Sequence, residues 1–294
     1  MRLIRGIFTV VLLFGWAVFG SPLWAQNPDT MAPDASEARA KQVIGQAIQA
    51  LGGPGYLAMT ERECEGRRAL FGHTGELAGY VQFKDSWSFP DKDRIDYFAK
   101  NRNTLLGYMI GVQDLDLAHG GLVITLFSGE HGWTMDRSGV SEMPDVSISE
   151  FQEALKRSTD NLLRLKLKEP GLLFRWAGRD TVDLREVDWV EITDQEQRTF
   201  RLAVDRSTHF LVRTVVRTQD ENTGESREDV TIFTNYQLKN GVQFPMQISR
   251  EKDGRRVTQV FYDSCRSQPD LGAKYFTKEA LEQKFKETHG KKGK

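Results

Sequence analysis

Apolar and polar residues alternate along residues 187–265, and a turn signal closes each run. Phe200, Leu202 and Val204 occupy alternate positions, and Val242, Phe244, Met246 and Ile248 repeat the pattern after intervening runs at 210–218 and 229–236. Spacing of period two puts one face of a strand on a core and the other in water. The pairs Asn240-Gly241 and Asp253-Gly254 supply the positive φ that tight hairpins need. The stretch therefore predicts a meander of antiparallel strands with one apolar face. Alternation around Leu77, Gly79, Val81 and Phe83, apolar runs at 105–112 and 122–127, and Trp133 with Met135 after a glycine turn predict further strands upstream.

Two stretches have helical spacing instead. Ala40, Val43, Ile44, Ala47, Ile48 and Leu51 form one stripe, with Ser36 as the expected N-cap and Gly52-Gly53-Pro54 as the stop. Ser149 and Gln152 match a capping box, which opens a second helix to residue 165 with Phe151, Ala154, Leu155 and Leu162 on one face. A short helix at 276–285 precedes a basic tail, 287–294. The expected class is α+β and mainly β: a large curved antiparallel sheet covered by two or three helices. A curved sheet with so few helices leaves apolar surface on its concave side, and a pocket there is the usual form of a small-molecule or lipid site.

Composition narrows the function. The chain has 294 residues, 39% apolar and 28% charged, with a net charge of −1, so it lacks the basic footprint of a nucleic-acid binder. Arg2 and Arg5 precede an apolar run at 7–19 and the small residue Ala25, which reads as a cleaved secretory signal over residues 1–25; the alternative is an uncleaved signal anchor. Residues 26–35 read as a flexible linker, and residues 36–286 as one domain with no internal repeat. Cys64 and Cys265 are the two cysteines. In an exported protein they either form a disulfide or pack as buried thiols, and both alternatives stand at this point.

Catalytic patterns are missing. His73, His119, His131, His209 and His289 do not fall at metal-ligand spacing, so no metal or other cofactor is expected. There is no Gly-x-Ser-x-Gly elbow, and the glycines of 72–79 match neither a phosphate loop nor a dinucleotide fingerprint. The acid pairs Asp91 with Asp93 and Asp114 with Asp116 read as solvated loop carboxylates.

The order of several motifs resembles the LolA/LolB-like group of lipoprotein-sorting and carrier-like proteins. These are the signal segment, the helix ending at Gly52-Gly53, the segment Pro90 to Arg94, the turn Gly129 to Trp133, the mid-chain helix, Phe200 to Asp205, and Asn240-Gly-Val-Gln-Phe-Pro245 after Tyr236. The resemblance implies an unclosed antiparallel barrel with helices as a lid over a hydrophobic cavity. It also implies a periplasmic protein that binds lipid or lipoprotein acyl chains without an enzymatic step. On that reading the cavity is lined by Phe83, Trp133, Phe200, Leu202, Val204, Phe233, Phe244, Met246 and Ile248, and Val43, Ile44, Ile48, Phe151 and Leu155 belong to the lid. The absence of a lipid-modified cysteine points to a soluble carrier with no stable membrane span after signal cleavage. The alternative is a non-enzymatic envelope interaction or sensor module that binds envelope proteins.

Overall fold

A computed structural model describes residues 27–71, 75–98, 121–219 and 226–289. The signal segment, the apolar run at 105–112, and His73, His119, Asp114 and Asp116 lie outside the described residues.

One antiparallel sheet of 13 strands organises the chain. Its first arm is β1 (Glu61–Phe71), β2 (Leu77–Ser88), β3 (Lys92–Phe98), β4 (Leu122–Ser128), β5 (His131–Asp136) and β6 (Gly139–Glu142). Its second arm is β7 (Leu173–Val182), β8 (Arg185–Thr193), β9 (Thr199–Asp205), β10 (Leu211–Gln219), β11 (Ser226–Lys239), β12 (Val242–Lys252) and β13 (Arg255–Ser267). Each arm is a meander in which sequence neighbours pair. The arms join where β1 pairs with β13, so β6 and β7 are the free edges of an unclosed sheet. The predicted meander is the second arm from β8 onward, and the Asn240-Gly241 and Asp253-Gly254 turns take the positive φ expected of them.

At the join, Cys64 sits directly opposite Cys265, and the two form a disulfide. One residue further on, β13 carries an extra residue, a bulge that brings Tyr262 to the same face as Cys265. The opposite position on β1 must be glycine: a Cβ on Gly66 would come within 2.1 Å of the Phe261 carbonyl oxygen. The rings of Phe83 and Tyr262 meet across this glycine at 5.8 Å.

Helix α1 (Pro33–Leu51) starts ahead of Ser36, behind the N-cap residue Ala32, because Pro33 is preorganised for a first helical position. Ser36 has a different task. Its hydroxyl oxygen accepts the backbone N–H of Trp176 on edge strand β7 at 3.0 Å. The predicted stripe of α1 is buried against Trp176, Val190, Ile192, Phe200 and Leu202, with Ile48 half-buried beside them. The helix ends at Gly52 and Gly53 as expected. Gly52 meets the Asn240-Gly241 hairpin so closely that a Cβ would lie 2.5 Å from the Gly241 carbonyl oxygen. Short helix α2 (Pro54–Ala58) follows.

The mid-chain helix differs from its prediction. It is two helices, α3 (Asp145–Lys156) and α4 (Thr159–Arg164), broken at Arg157 and Ser158. Ser149 lies inside α3, behind an N-cap at Pro144, and the capping serine is Ser158, whose side chain accepts the Asn161 N–H. The terminal helix α5 (Lys278–His289) covers the other face of the first arm, where Phe276 and Leu281 pack on Ile124, Leu126 and Met135. Among the described residues no helix is long and apolar enough to cross a membrane.

The disulfide closes a sequence separation of 201 residues. Cross-links that close long loops restrict the unfolded chain most, and a native bridge typically contributes about 2–4 kcal/mol. The double variant Cys64→Ser, Cys265→Ser is expected to lose stability of that order in denaturant unfolding, and reductant should lower the midpoint of the wild type but not of the variant.

Candidate functional site

Between the two arms, beneath α3 and α4, lies a cavity of about 470 Å³. Inward positions of β1, β2 and β3 form one wall, and those of β10 to β13 form the other. The apolar lining includes Phe83, Phe233, Phe244, Ile248 and Val260, and Phe151, Leu155 and Leu163 roof it.

Not all sequence-predicted residues meet there. Phe83, Phe233, Phe244 and Ile248 line the cavity, as do Phe151 and Leu155. Phe200, Leu202, Val204 and Met246 are instead buried in the continuous core that α1 covers, together with Val43 and Ile44; Ile48 packs against its edge. Trp133 is on the opposite face of the sheet, packed with Val140 and the cluster under α5. Alternation fixes which side chains of one strand share a face. It does not say which of two packed regions that face meets.

The helices over the cavity are held very differently. In α4, Leu162 and Leu163 are buried, and so is Arg164. The Arg164 guanidinium lies 4.0 Å from the Phe89 ring centroid, donates to the Met59 carbonyl oxygen, and also faces the Trp87 and Tyr56 rings. By contrast, α3 has no fully buried residue. It rests on a stacked contact between Phe151 and Phe127 at 4.2 Å, a bond from Gln152 to the Gly129 carbonyl oxygen, an ion pair of Glu153 with the buried Arg198 at 3.8 Å, and the half-buried ion pair of the following residue Arg157 with Asp229. Helix α1 is fixed: beyond its buried stripe, Arg39 pairs with Asp188, which also accepts the Trp176 indole N–H. Of these helices α3 alone has no fully buried residue.

The cavity also holds a cluster of charges that sequence reading missed. Arg62 pairs with Asp160 at 3.3 Å and with Asp85 at 3.6 Å. Tyr56 donates to Asp160 at 2.7 Å, and Tyr262 donates to Asp85 at 3.1 Å. Arg68 donates to the Tyr97 hydroxyl at 2.6 Å. Asp93, expected to be a solvated loop acid, is on β3 and faces this cluster. Burial first, and then the neighbouring charge of Asp85, push its carboxyl well above the usual range. Burial, followed by the carboxylate beside each, likewise raises the Tyr56 and Tyr262 hydroxyls, so both stay protonated donors. The signal was present in the alternation itself. Asp85 stands between Phe83 and Trp87, and Arg250 follows Ile248, each in phase with cavity-facing apolar residues.

His131 stacks on Trp133 at the surface, away from the cavity, and His209 sits in a turn with positive φ. Among the described residues no group of three or more His, Cys, Asp or Glu side chains is placed to hold a metal ion.

No family model matches the chain, and no curated protein matches it in sequence. Among solved structures, a DUF1329 family protein from Desulfovibrio piger superposes with a TM-score of 0.53 at 14% identity, covering 82% of this chain and 98% of that one. A domain described as a candidate outer membrane lipoprotein-sorting protein from Vibrio parahaemolyticus gives 0.49 at 10% identity, covering 84% and 99%. A LolA superfamily protein from Nitrosomonas europaea gives 0.47 at 13%, covering 82% and 99%. At these identities the likeness is one of fold. The unclosed sheet with covering helices is the architecture that the sequence resemblance implied.

The raised carboxyl of Asp93 has a definite sign. The folded chain keeps this proton where the unfolded chain, with a carboxyl pKa of about 3.9, has lost it. This group's contribution is therefore complete below that value and declines as pH rises through the folded one. Asp93→Asn removes the decline: melting temperatures measured against pH should match the wild type in acid and equal or exceed it at neutral pH.

Proposed function

We propose that the protein is a periplasmic lipid-binding or lipoprotein acyl-chain-binding carrier, acting in outer-membrane lipoprotein sorting or envelope lipid transport after cleavage of residues 1–25. The observation that carries this reading is the cavity itself. Its volume of about 470 Å³ lies within the range of small-molecule sites, and its walls present Phe83, Phe233, Phe244, Ile248 and Val260. Each methylene removed from water there contributes about 0.8 kcal/mol, so part of one alkyl chain suffices for useful affinity once ordering costs are met.

The roof supports the same reading. Entry and exit of a chain need an element that moves without unfolding the core, and α3 is bound by half-buried side chains alone. Helix α4, anchored through Arg164, is the fixed end about which it swings. The disulfide suits an oxidising compartment outside the cytoplasm. The chemistry required is burial and release rather than bond making, so no catalytic role is assigned.

Leu155 tests this without threatening the fold, because it is half-buried on α3 and lines the cavity. The wild type should displace a fluorescent fatty acid from solution into its cavity and carry lipid through purification, detected by mass spectrometry. Leu155→Asp should weaken uptake about tenfold, the effect of a buried charge against an alkyl chain, while leaving the melting temperature nearly unchanged. A wild-type protein that takes up no lipid overturns the carrier reading and favours an envelope interaction module.

A further inference from the structure

The charged side chains that line the cavity are unevenly paired. Arg62 is shared between Asp85 and Asp160. Asp93 lies beside them, its carboxyl pushed up by burial and by the charge of Asp85. Arg68 and Arg250 also face the cavity, and among the described residues neither has a carboxylate within ion-pair distance. Arg68 donates only to the neutral Tyr97 hydroxyl, and its Nε, like that of Arg62, is buried without a partner. Arg250 lines the mouth of the cavity and is exposed there. Desolvation and the repulsion of Arg68 both pull its guanidinium below the usual arginine range.

Both guanidinium groups thus face the cavity without a carboxylate in ion-pair contact, and Arg68 keeps a buried Nε with no partner. Their geometry is suited to a bidentate oxyanion, a carboxylate or a phosphate. The apolar lining starts beside them. On β12, Ile248 and Phe244 share the inward face that carries Arg250, and six residues of strand span about 20 Å, room for a long alkyl chain. Phe83 and Phe233 flank the same path.

We propose that Arg68 and Arg250 seat the anionic head, a carboxylate or phosphate, of one amphiphile whose alkyl chain lies along Phe83, Phe233, Phe244 and Ile248. This rests on the acyl-chain reading of the cavity and adds head-group selectivity and a direction: head toward the far end of β12, tail toward the tip of α1. The Tyr262 hydroxyl and Arg62 border the head and hold Asp85 away from it through their own contacts.

The test is calorimetric titration of the purified chain with hexadecanoate, hexadecyl phosphate, uncharged hexadecanol and inorganic phosphate. Both charged amphiphiles should bind about tenfold or more tightly than the alcohol, the effect of a charge-assisted contact. Arg250→Gln should abolish that preference and leave hexadecanol affinity unchanged, which also reports an intact fold. Arg250→Lys should keep part of the preference, and Arg68→Gln should reduce it. Leu155→Asp, in contrast, should weaken acid and alcohol alike. Equal affinity for acid and alcohol in the wild type overturns the head-group seat and leaves acyl binding standing. Inorganic phosphate bound with no amphiphile bound overturns the acyl reading, and the proposed amphiphile with it. No binding by any of the four overturns both.

Discussion

The pairing of β1 with β13 is the constraint on which the rest of the molecule depends. Among the described residues it is the one contact in the sheet between strands distant in sequence; every other ladder there joins strands consecutive along the chain. Without it the protein would be two separate meanders, with the cavity walls no longer facing each other. The pairing is fixed by three local features working together: a covalent bridge, a glycine that admits the Phe261 carbonyl oxygen, and an extra residue on β13. The bulge turns Tyr262 inward, so the join also sets the composition of the cavity wall. Closing the fold and equipping the cavity are one event in this chain.

That wall is unusual for a compartment with so much apolar surface. Packed hydrophobic side chains of similar volume are generally as stable as buried ion pairs or more so. Arg62, Asp85, Asp160 and the two tyrosine hydroxyls contact one another, leaving only the Arg62 Nε unpartnered, and their network ties the first arm to α2 and α4. Arg68 and Arg250 do not enter that network. They face the cavity without joining its ion pairs, which is the physical basis for assigning them a different purpose.

Much of this was legible in the sequence. Alternation located the second arm, glycine pairs located its hairpins, and the α1 stripe was read residue for residue. The order of motifs implied an unclosed sheet, and two of them, Gly52-Gly53 and Asn240-Gly241, prove to be in contact. What the sequence could not show has specific causes. The break at Arg157 and Ser158 splits a stripe whose periodicity runs on across it. The grouping of Phe200, Leu202 and Val204 with the cavity failed because α1 fills that part of the concave face. Trp133 was assigned to the wrong face because a strand pattern carries no sign. The charges of β2, β3 and β12 were passed over because a charged residue in a strand is ordinarily in water, and only the closed shape of the wall makes these inward ones matter.

An unclosed sheet has two free edges, and each offers unpaired backbone groups to other chains. Here the two are shielded by opposite ends of the polypeptide. Residues 28–36 run beside β7, where Ser36 takes the N–H of Trp176, Arg175 pairs with Asp29, and Pro28 lies against Gly178. At the other edge β6 is only four residues long, and Lys278 of α5 reaches its Glu142. The segments at 28–36 and 278–289 thus flank the two edge strands. Trimming either one for expression or crystallisation would expose a template for strand addition while leaving the cavity untouched.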